Sequence, residues 1–336
     1  MNIGDRRTDL PVLLLHNIDP KWRKRDRSYA HDCAVKLLQG LTEEGHPVDS
    51  IVVDRPFLES LLEGQDPERL VVFNWCEELP GVPRSEALVA YTLERLGYLF
   101  TGAPGDVLAT SWEKPRVKRL LERQRIETPP WRVFAAPDVE GWEHYPAIVK
   151  LAYEHCSLGV GTDAVVLSPE QLRERISQCL DKYGEPVLVE EFIDGREFHV
   201  TVWGDGRLRM LPPVEMTFDT FDDPRERVCT FDSKFTPASR HFQEIQFEVE
   251  ARLSAEELAL LERAATGAFR AVGCRDYARI DVRVRGGVFY VLDVNPNADL
   301  TPETTTVTSA EAAGYSYGAL ASQIVNFAAR RRHQRI

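Results

Sequence analysis

Residues 278–301 read ARIDVRV, then RGG, then VFYVLDVNPNADLT, and this stretch constrains the chain more than any other. Two runs of alternating residues flank a glycine-bearing break, which is the signature of a β-hairpin. With a three-residue loop of Arg285, Gly286 and Gly287, Val284 pairs with Val288. Side chains alternate along a strand, so Arg279, Asp281, Asp293 and Asn295 then share one face. Ile280, Val282, Val284, Tyr290, Leu292 and Val294 fall on the other, which suits a core. The polar face gathers two carboxylates, an amide oxygen and a guanidinium, a set suited to Mg²⁺ and phosphate. A solvated strand face is the ordinary reading of such a pattern, and the upstream sequence decides against it.

Upstream, Lys150 ends the apolar strand PAIVK and precedes the small, polar loop YEHCSLGVG, which contains Ser157 and Gly159. A lysine at a strand end, followed by exposed N–H groups and a hydroxyl, offers a triphosphate a point charge and oriented donors. No GKS or GKT follows the glycines, so this is not a Walker loop. VLVEEFIDGREF places Glu190 at a strand end and Glu197 seven residues later. These carboxylates can accept from an adenine amino group and from ribose hydroxyls, although a surface charge is the commoner role of either alone. Lys114, in SWEKPRV, adds a cation for an α-phosphate, and Lys234, in a long polar segment, can close over a γ-phosphate.

The chain has 336 residues, 43% hydrophobic and 28% charged, enough for two or three domains of a globular protein. A net charge of −12 offers no overall attraction to nucleic acid or to anionic membranes. Six scattered cysteines without CxxC spacing read as thiols of a reducing compartment. No apolar run is long enough for a bilayer span, and the N-terminal one is too short for a signal peptide, so a cytoplasmic protein is expected.

Strands at 11–15, 51–53 and 70–74 alternate with helices at 28–44 and 85–96, predicting a parallel sheet covered on both faces. A helix at 114–124 opens a second region, with strands at 131–135, 147–150, 164–167 and 187–191. In it Ser168, Pro169 and Gly184 bound a further helix. Strands at 197–203 and 208–212 precede a polar lid at 217–241, and Ser254 with Glu257 forms a capping box for a helix reaching Val272. A last helix begins near Ser316 and ends in a basic tail, whose cations suit a helix C-terminus.

The order of these motifs resembles the ATP-grasp superfamily, in particular its D-alanine–D-alanine ligase-like branch, over nearly the whole chain. The resemblance implies an α/β fold of three domains: a Rossmann-like region at 1–105, a central subdomain at 106–191 and a C-terminal subdomain at 192–336. ATP would lie between the last two, under an ω-loop at 217–241 and beside the hairpin at 278–295. It also implies roles. Lys114, Lys150, Ser157, Gly159 and Lys234 would hold phosphates; Glu190, Glu191, Phe192 and Glu197 would hold the nucleoside. Arg279 would be the transition-state arginine, and Asp281, Asp293 and Asn295 the ligands of two Mg²⁺ ions, or of Mn²⁺. The implied activity is an ATP-dependent carboxylate–amine ligase working through an acyl phosphate on small amino acids or related molecules, and the resemblance also suggests a homodimer. An ester-forming or carboxylate-phosphorylating enzyme is the alternative.

Departures cluster in the substrate half. Asp293 replaces a commoner glutamate, and Asp299 stands at a glycine position in PNADLTPETTT. Thr304 aligns with a substrate-carboxylate serine, and Phe235 stands where amide-forming ligases carry tyrosine. His155 and Cys156 replace small residues in the phosphate loop. Asp26 is the loose candidate for an amine-binding carboxylate, since the N-terminal signature is absent. The pattern points away from D-alanine as the natural substrate.

Overall fold

A computed structural model describes residues 7–155, 157–249 and 251–334; the expectation placed on Cys156 lies outside them. Four strands, β1 (Val12–Asn17), β2 (Val48–Val53), β3 (Val71–Trp75) and β4 (Leu99–Phe100), form a parallel sheet in the order β2-β1-β3-β4. Alternation sends Leu13, Leu15 and Val72 to one face and Val12, Leu14, Val71 and Phe73 to the other. The first face meets α2 (Leu58–Leu61) and α3 (Glu86–Arg95). The second meets α1 (Lys24–Glu43) and the last long helix, so both ends of the chain share one core. Helix α1 begins four residues before the expected Ser28, because the charged run after Trp22 is itself helical.

Helices α4 (Gly105–Ser111) and α5 (Lys114–Arg123) lead to a second sheet of β5 (Trp131–Phe134), β6 (Ala147–Leu151), β7 (Val165–Val166) and β8 (Val187–Glu191), ordered β5-β8-β6-β7. Its pairings are antiparallel, and α6 (Pro169–Tyr183) covers one face. Ser168 caps α6 through the Gln171 N–H, and Gly184 ends it in the left-handed conformation.

The third sheet contains β9 (Arg196–Gly204), β10 (Arg209–Met210), β11 (Val214–Thr217), β12 (Gln246–Val249), β13 (Asp276–Arg285) and β14 (Val288–Pro296). Its order is β12-β11-β9-β13-β14, with β10 paired to β9. Between β11 and β12 the expected lid carries α7 (Phe231–Phe235) and α8 (Arg240–Glu244). Helix α9 (Ala255–Val272), with the capping box at Ser254 and Glu257, covers the apolar face. Then α10 (Thr305–Ala312) and α11 (Tyr317–Arg330) close the chain. Strand β12 and helix α10 have no counterpart in the sequence reading.

The hairpin differs from expectation at its tip. Arg285 pairs with Val288, so the loop has two residues, Gly286 and Gly287, at φ 58° and 80°. Positive φ at both positions is the twist-matched turn that glycine permits. A bulge between Asp281 and Val282 then shifts the register, leaving Leu292 unpaired. Tyr290 and Leu292 are accordingly not core residues; Phe289 and Val291 are buried instead, while Val294 is buried as expected. The two one-residue differences restore the parity beyond the bulge, so Arg279, Asp281, Asp293 and Asn295 do share a face.

The basic tail is structural. Arg331 donates to the fully buried Asp276, at 3.0 Å for one contact, and to the Phe100 carbonyl at 2.6 Å. Arg330 pairs with Asp205 at 2.8 Å. No described helix is long and apolar enough to cross a membrane.

Helices α1 and α11 cross at Gly40 and Gly318. A Cβ on Gly40 would lie 3.0 Å from Gly318 Cα, and one on Gly318 would overlap the Gly40 carbonyl. Gly318→Ala is therefore expected to lower stability by about 1–3 kcal/mol through backbone overpacking. Urea unfolding measures this, and an unchanged midpoint would contradict so close a crossing.

Candidate active site

The polar face of the third sheet is a three-strand array. Across β9, β13 and β14 one row holds Thr201, Arg279 and Asn295, and the next holds His199, Asp281 and Asp293. Glu197 opposes Arg283 in the row after the bulge. Arg279 Nε donates to Asp281 Oδ1 at 2.7 Å, and Asn295 Nδ2 donates to Asp281 Oδ2 at 3.0 Å. Lys114 Nζ stands 4.0 Å from Asp293 Oδ2. Burial pushes both aspartates up, but their cationic neighbours win and hold both below the usual carboxylate range. Arg279 does most for Asp281, and Lys114 with Lys150 does so for Asp293. Two carboxylates directly opposite one another are destabilising without cations between them. With the Asn295 amide oxygen they make a hard-oxygen donor set, which fits Mg²⁺.

Facing this array is a buried charge cluster. Glu190 is 1% exposed and pairs with both Lys118 and Lys150, the latter at 2.5 Å. Burial raises the Glu190 carboxyl, yet the two lysines hold it below its ordinary range. Burial lowers Lys118, whereas Glu190 and Asp293 offset burial at Lys150 and raise it. One carboxylate shared by two ammonium groups leaves a net positive charge beside the aspartates.

Lys118 also reaches the hairpin. Its ammonium donates to Thr128 Oγ1 at 2.7 Å, Val291 O at 3.2 Å and Leu292 O at 2.9 Å. The last two are carbonyls at the β14 bulge, where the ladder is interrupted. Thr128 Oγ1 donates to Val291 O as well, at 2.8 Å. A dry ammonium needs such partners, and the bulge supplies them.

Above the array lies the expected phosphate loop, with the segment between β11 and β12 folded onto it. Ser157, at φ 59°, donates to the Cys229 carbonyl at 3.1 Å, and Lys234 Nζ donates to Ser157 Oγ at 3.0 Å. The Phe231 N–H donates to Val160 O at 3.0 Å. Gly159, at φ 76°, accepts from Arg175 at 2.7 Å. Lys114 donates to the Glu154 carbonyl. His155 packs edge-on to Trp112 at 4.4 Å, and burial followed by Lys114 brings it down to about 4, so it is neutral at pH 7.

Other expected residues sit differently. Glu190 gives its carboxylate to lysines, and Glu191 gives its own to Arg285 at 2.7 Å. Glu197 is held by Arg283 Nε at 2.7 Å, and the Arg283 guanidinium lies 4.7 Å from the buried Phe192 ring. Asp299 accepts from the Thr301 N–H at 2.8 Å, and Thr304 Oγ1 donates to Asp299 O at 3.0 Å. These two organise the loop before α10. Asp26 meets Arg25 at 3.5 Å and joins none of the groups above. The exposed Phe235 stacks near Phe231, with ring centroids 4.8 Å apart.

Sequence reasoning missed Lys118, His199 and Arg283. Period two carries a signal for the last two: Arg283 follows Asp281 by two residues, and His199 follows Glu197 by two. It also missed Glu77 and Glu86. Burial, with Asp299, pushes Glu77 up to about 7, although that residue remains partly open to solvent, which screens the effect. Burial and Glu77 push Glu86 up to about 8.

The fold is that of the ATP-grasp enzymes. A solved D-alanine–D-alanine ligase from Bacillus anthracis, complexed with ATP, superposes with a TM-score of 0.74 at 20% identity, covering 97% of this chain and all of that one. A sequence profile described as D-ala D-ala ligase C-terminus matches residues 120–326. The chain belongs to the D-alanine–D-alanine ligase family. It is 30% identical over 89% of its length to uncharacterized protein y4sG of Sinorhizobium fredii, covering 88% of that protein. It is 29% identical over 91% of its length to the D-alanine–D-alanine ligase of Pseudothermotoga lettingae, covering 96% of that enzyme.

Lys118→Met leaves the Leu292 carbonyl and part of a buried charge unpartnered, so a loss of about 3–5 kcal/mol is expected at pH 7. The folded Glu190 carboxyl lies below its ordinary 4.5. The stability it confers is therefore present above about pH 4.5 and lost as pH falls through the folded value. The gap between wild type and variant should narrow on acidification below about pH 4.5. A gap that widened instead, in urea titrations across pH, would contradict the ion-pair assignment.

Proposed function

We propose that this protein is an ATP-dependent ligase joining the carboxylate of a small amino acid or related acid to an amine, with ADP and phosphate released. The observation that carries the reading is the half-buried Asp281, Asp293, Asn295 and Arg279 array set against Lys150, Lys114 and Lys234. A carboxylate is a poor electrophile, and transfer of the ATP γ-phosphoryl group makes an acyl phosphate that an amine can attack. The transferring group bears charge on its equatorial oxygens, and catalysis is mainly positioning and electrostatics.

Asp281, Asp293 and Asn295 would hold Mg²⁺, which when bound neutralises charge developing on the polyphosphate. Arg279 and Lys150 would stabilise the phosphoryl oxygens from opposite sides. Lys234, resting on Ser157, would bring the lid over them and exclude water that hydrolyses acyl phosphates. Glu197, fixed by Arg283, would take the ribose, and the strand end at Glu191 and Phe192 the adenine. Asp299 raises the Glu77 carboxyl and Glu77 raises that of Glu86; these two groups would ionise beside the ammonium form of an amine substrate and hold it there. Its relatives favour amide formation over an ester-forming or carboxylate-phosphorylating activity.

ADP release, coupled to an indicator enzyme and measured across pairs of amino acids, tests the proposal. Turnover that requires both an acid and an amine is expected. Asp281→Asn and Lys234→Ala should each cost on the order of 10²–10³ in kcat with circular dichroism unchanged, by analogy with loss of one oxyanion donor. Full activity in Asp281→Asn would remove the hairpin from the mechanism.

A further inference from the structure

We propose that Glu197, His199 and Cys229 form a binding site for a borderline-soft divalent metal of the zinc class, beside the all-oxygen array but different from it in chemistry. One ligand atom from each residue lies within 4.8 Å of the other two. Glu197 and His199 are two residues apart on β9 and point to the same face, and Cys229 comes from the lid segment that crosses it.

His199 is the informative member. It is 7% exposed, and its Nδ1 meets Thr305 Oγ1 at 3.2 Å, which orients the ring. Outer contacts of this kind fix the imidazole of metal-ligating histidines. Its Nε2 stands 3.7 Å from Glu197 Oε1 and 3.9 Å from Asp281 Oδ1. Both separations are longer than an ordinary hydrogen bond. The first is close to that of two ligand atoms sharing one ion, since bonds of about 2.0–2.2 Å at tetrahedral angles hold nitrogen and oxygen roughly 3.4 Å apart. The other Glu197 oxygen is taken by Arg283, so Oε1 is the one turned to the site.

The donor set selects the metal. Thiolate and imidazole favour zinc, cobalt and copper, whereas Mg²⁺ prefers oxygen. Burial, followed by the Glu197 charge, raises the Cys229 thiol, so metal uptake releases its proton. The consequence follows from position: the Cys229 carbonyl holds Ser157, and the segment runs on to Lys234. An ion joining β9 to this segment ties the lid to the phosphate loop. If the ligase reading holds, it also occupies Glu197 and slows turnover; metal binding itself does not depend on that reading.

Cobalt(II) titration of the full-length protein, without nucleotide and with millimolar Mg²⁺ present, tests the site. The expected result is one equivalent bound, with a thiolate-to-cobalt charge-transfer band and tetrahedral ligand-field bands, both abolished by added Zn²⁺. Cys229→Ser should lose the charge-transfer band and bind at least about tenfold more weakly, while Cys33→Ser keeps both. Asp281→Asn should retain the band, which gives a readout should Cys229→Ser fail to fold. A wild-type protein without the band, or a folded Cys229→Ser protein that keeps it, overturns the proposal.

Discussion

The ammonium of Lys118 is the contact on which the rest of the architecture turns. It is buried, and it draws together a carboxylate of the second sheet, a threonine of the connecting segment and two carbonyls of the third sheet. Those carbonyls lie at the bulge, and the bulge decides which side chains of β14 face the polar array. A desolvated cation thus sets the phase of a hairpin. The same ion pair fixes the distance between the sheet that carries Lys150 and the sheet that carries the aspartates.

Given that phase, the electrostatics follow without further assumptions. The register puts Asp281 beside His199 on one side and Asp293 on the other. Arg279, Lys114 and Lys150 keep both carboxylates ionised in a site that burial alone would neutralise. The charges stand in fixed places before any substrate arrives, which is the condition for electrostatic catalysis to avoid a reorganisation penalty. His155, neutral beside Lys114, adds shape to the loop and no charge.

Much of this was legible in the chain. Alternating strands and helices, the serine caps at Ser168 and Ser254, and the hairpin parity are local patterns, and local patterns survive tertiary packing. The tip of the hairpin was not legible, because a bulge at Leu292 is stabilised by Lys118, which is 174 residues away in sequence. Lys118 itself looked like one more cation on a basic helix; only the fold shows that it is dry. Arg331 was likewise read as a partner of its helix end, whereas it closes on Asp276, 55 residues distant. The substrate half was the least legible: Asp299 and Thr304 bind their own loop, and the Glu77 and Glu86 carboxyls are raised in part by charges distant in sequence.

The most direct measurement is a crystal structure with Mg²⁺ and a non-hydrolysable ATP analogue. A triphosphate lying between Lys150 and the hairpin is expected, with metal-coordinating oxygens from Asp281, Asp293 and Asn295, and with Lys234 on the terminal phosphate. A nucleotide bound elsewhere, or bound here while those three side chains turn away from it, would contradict the account.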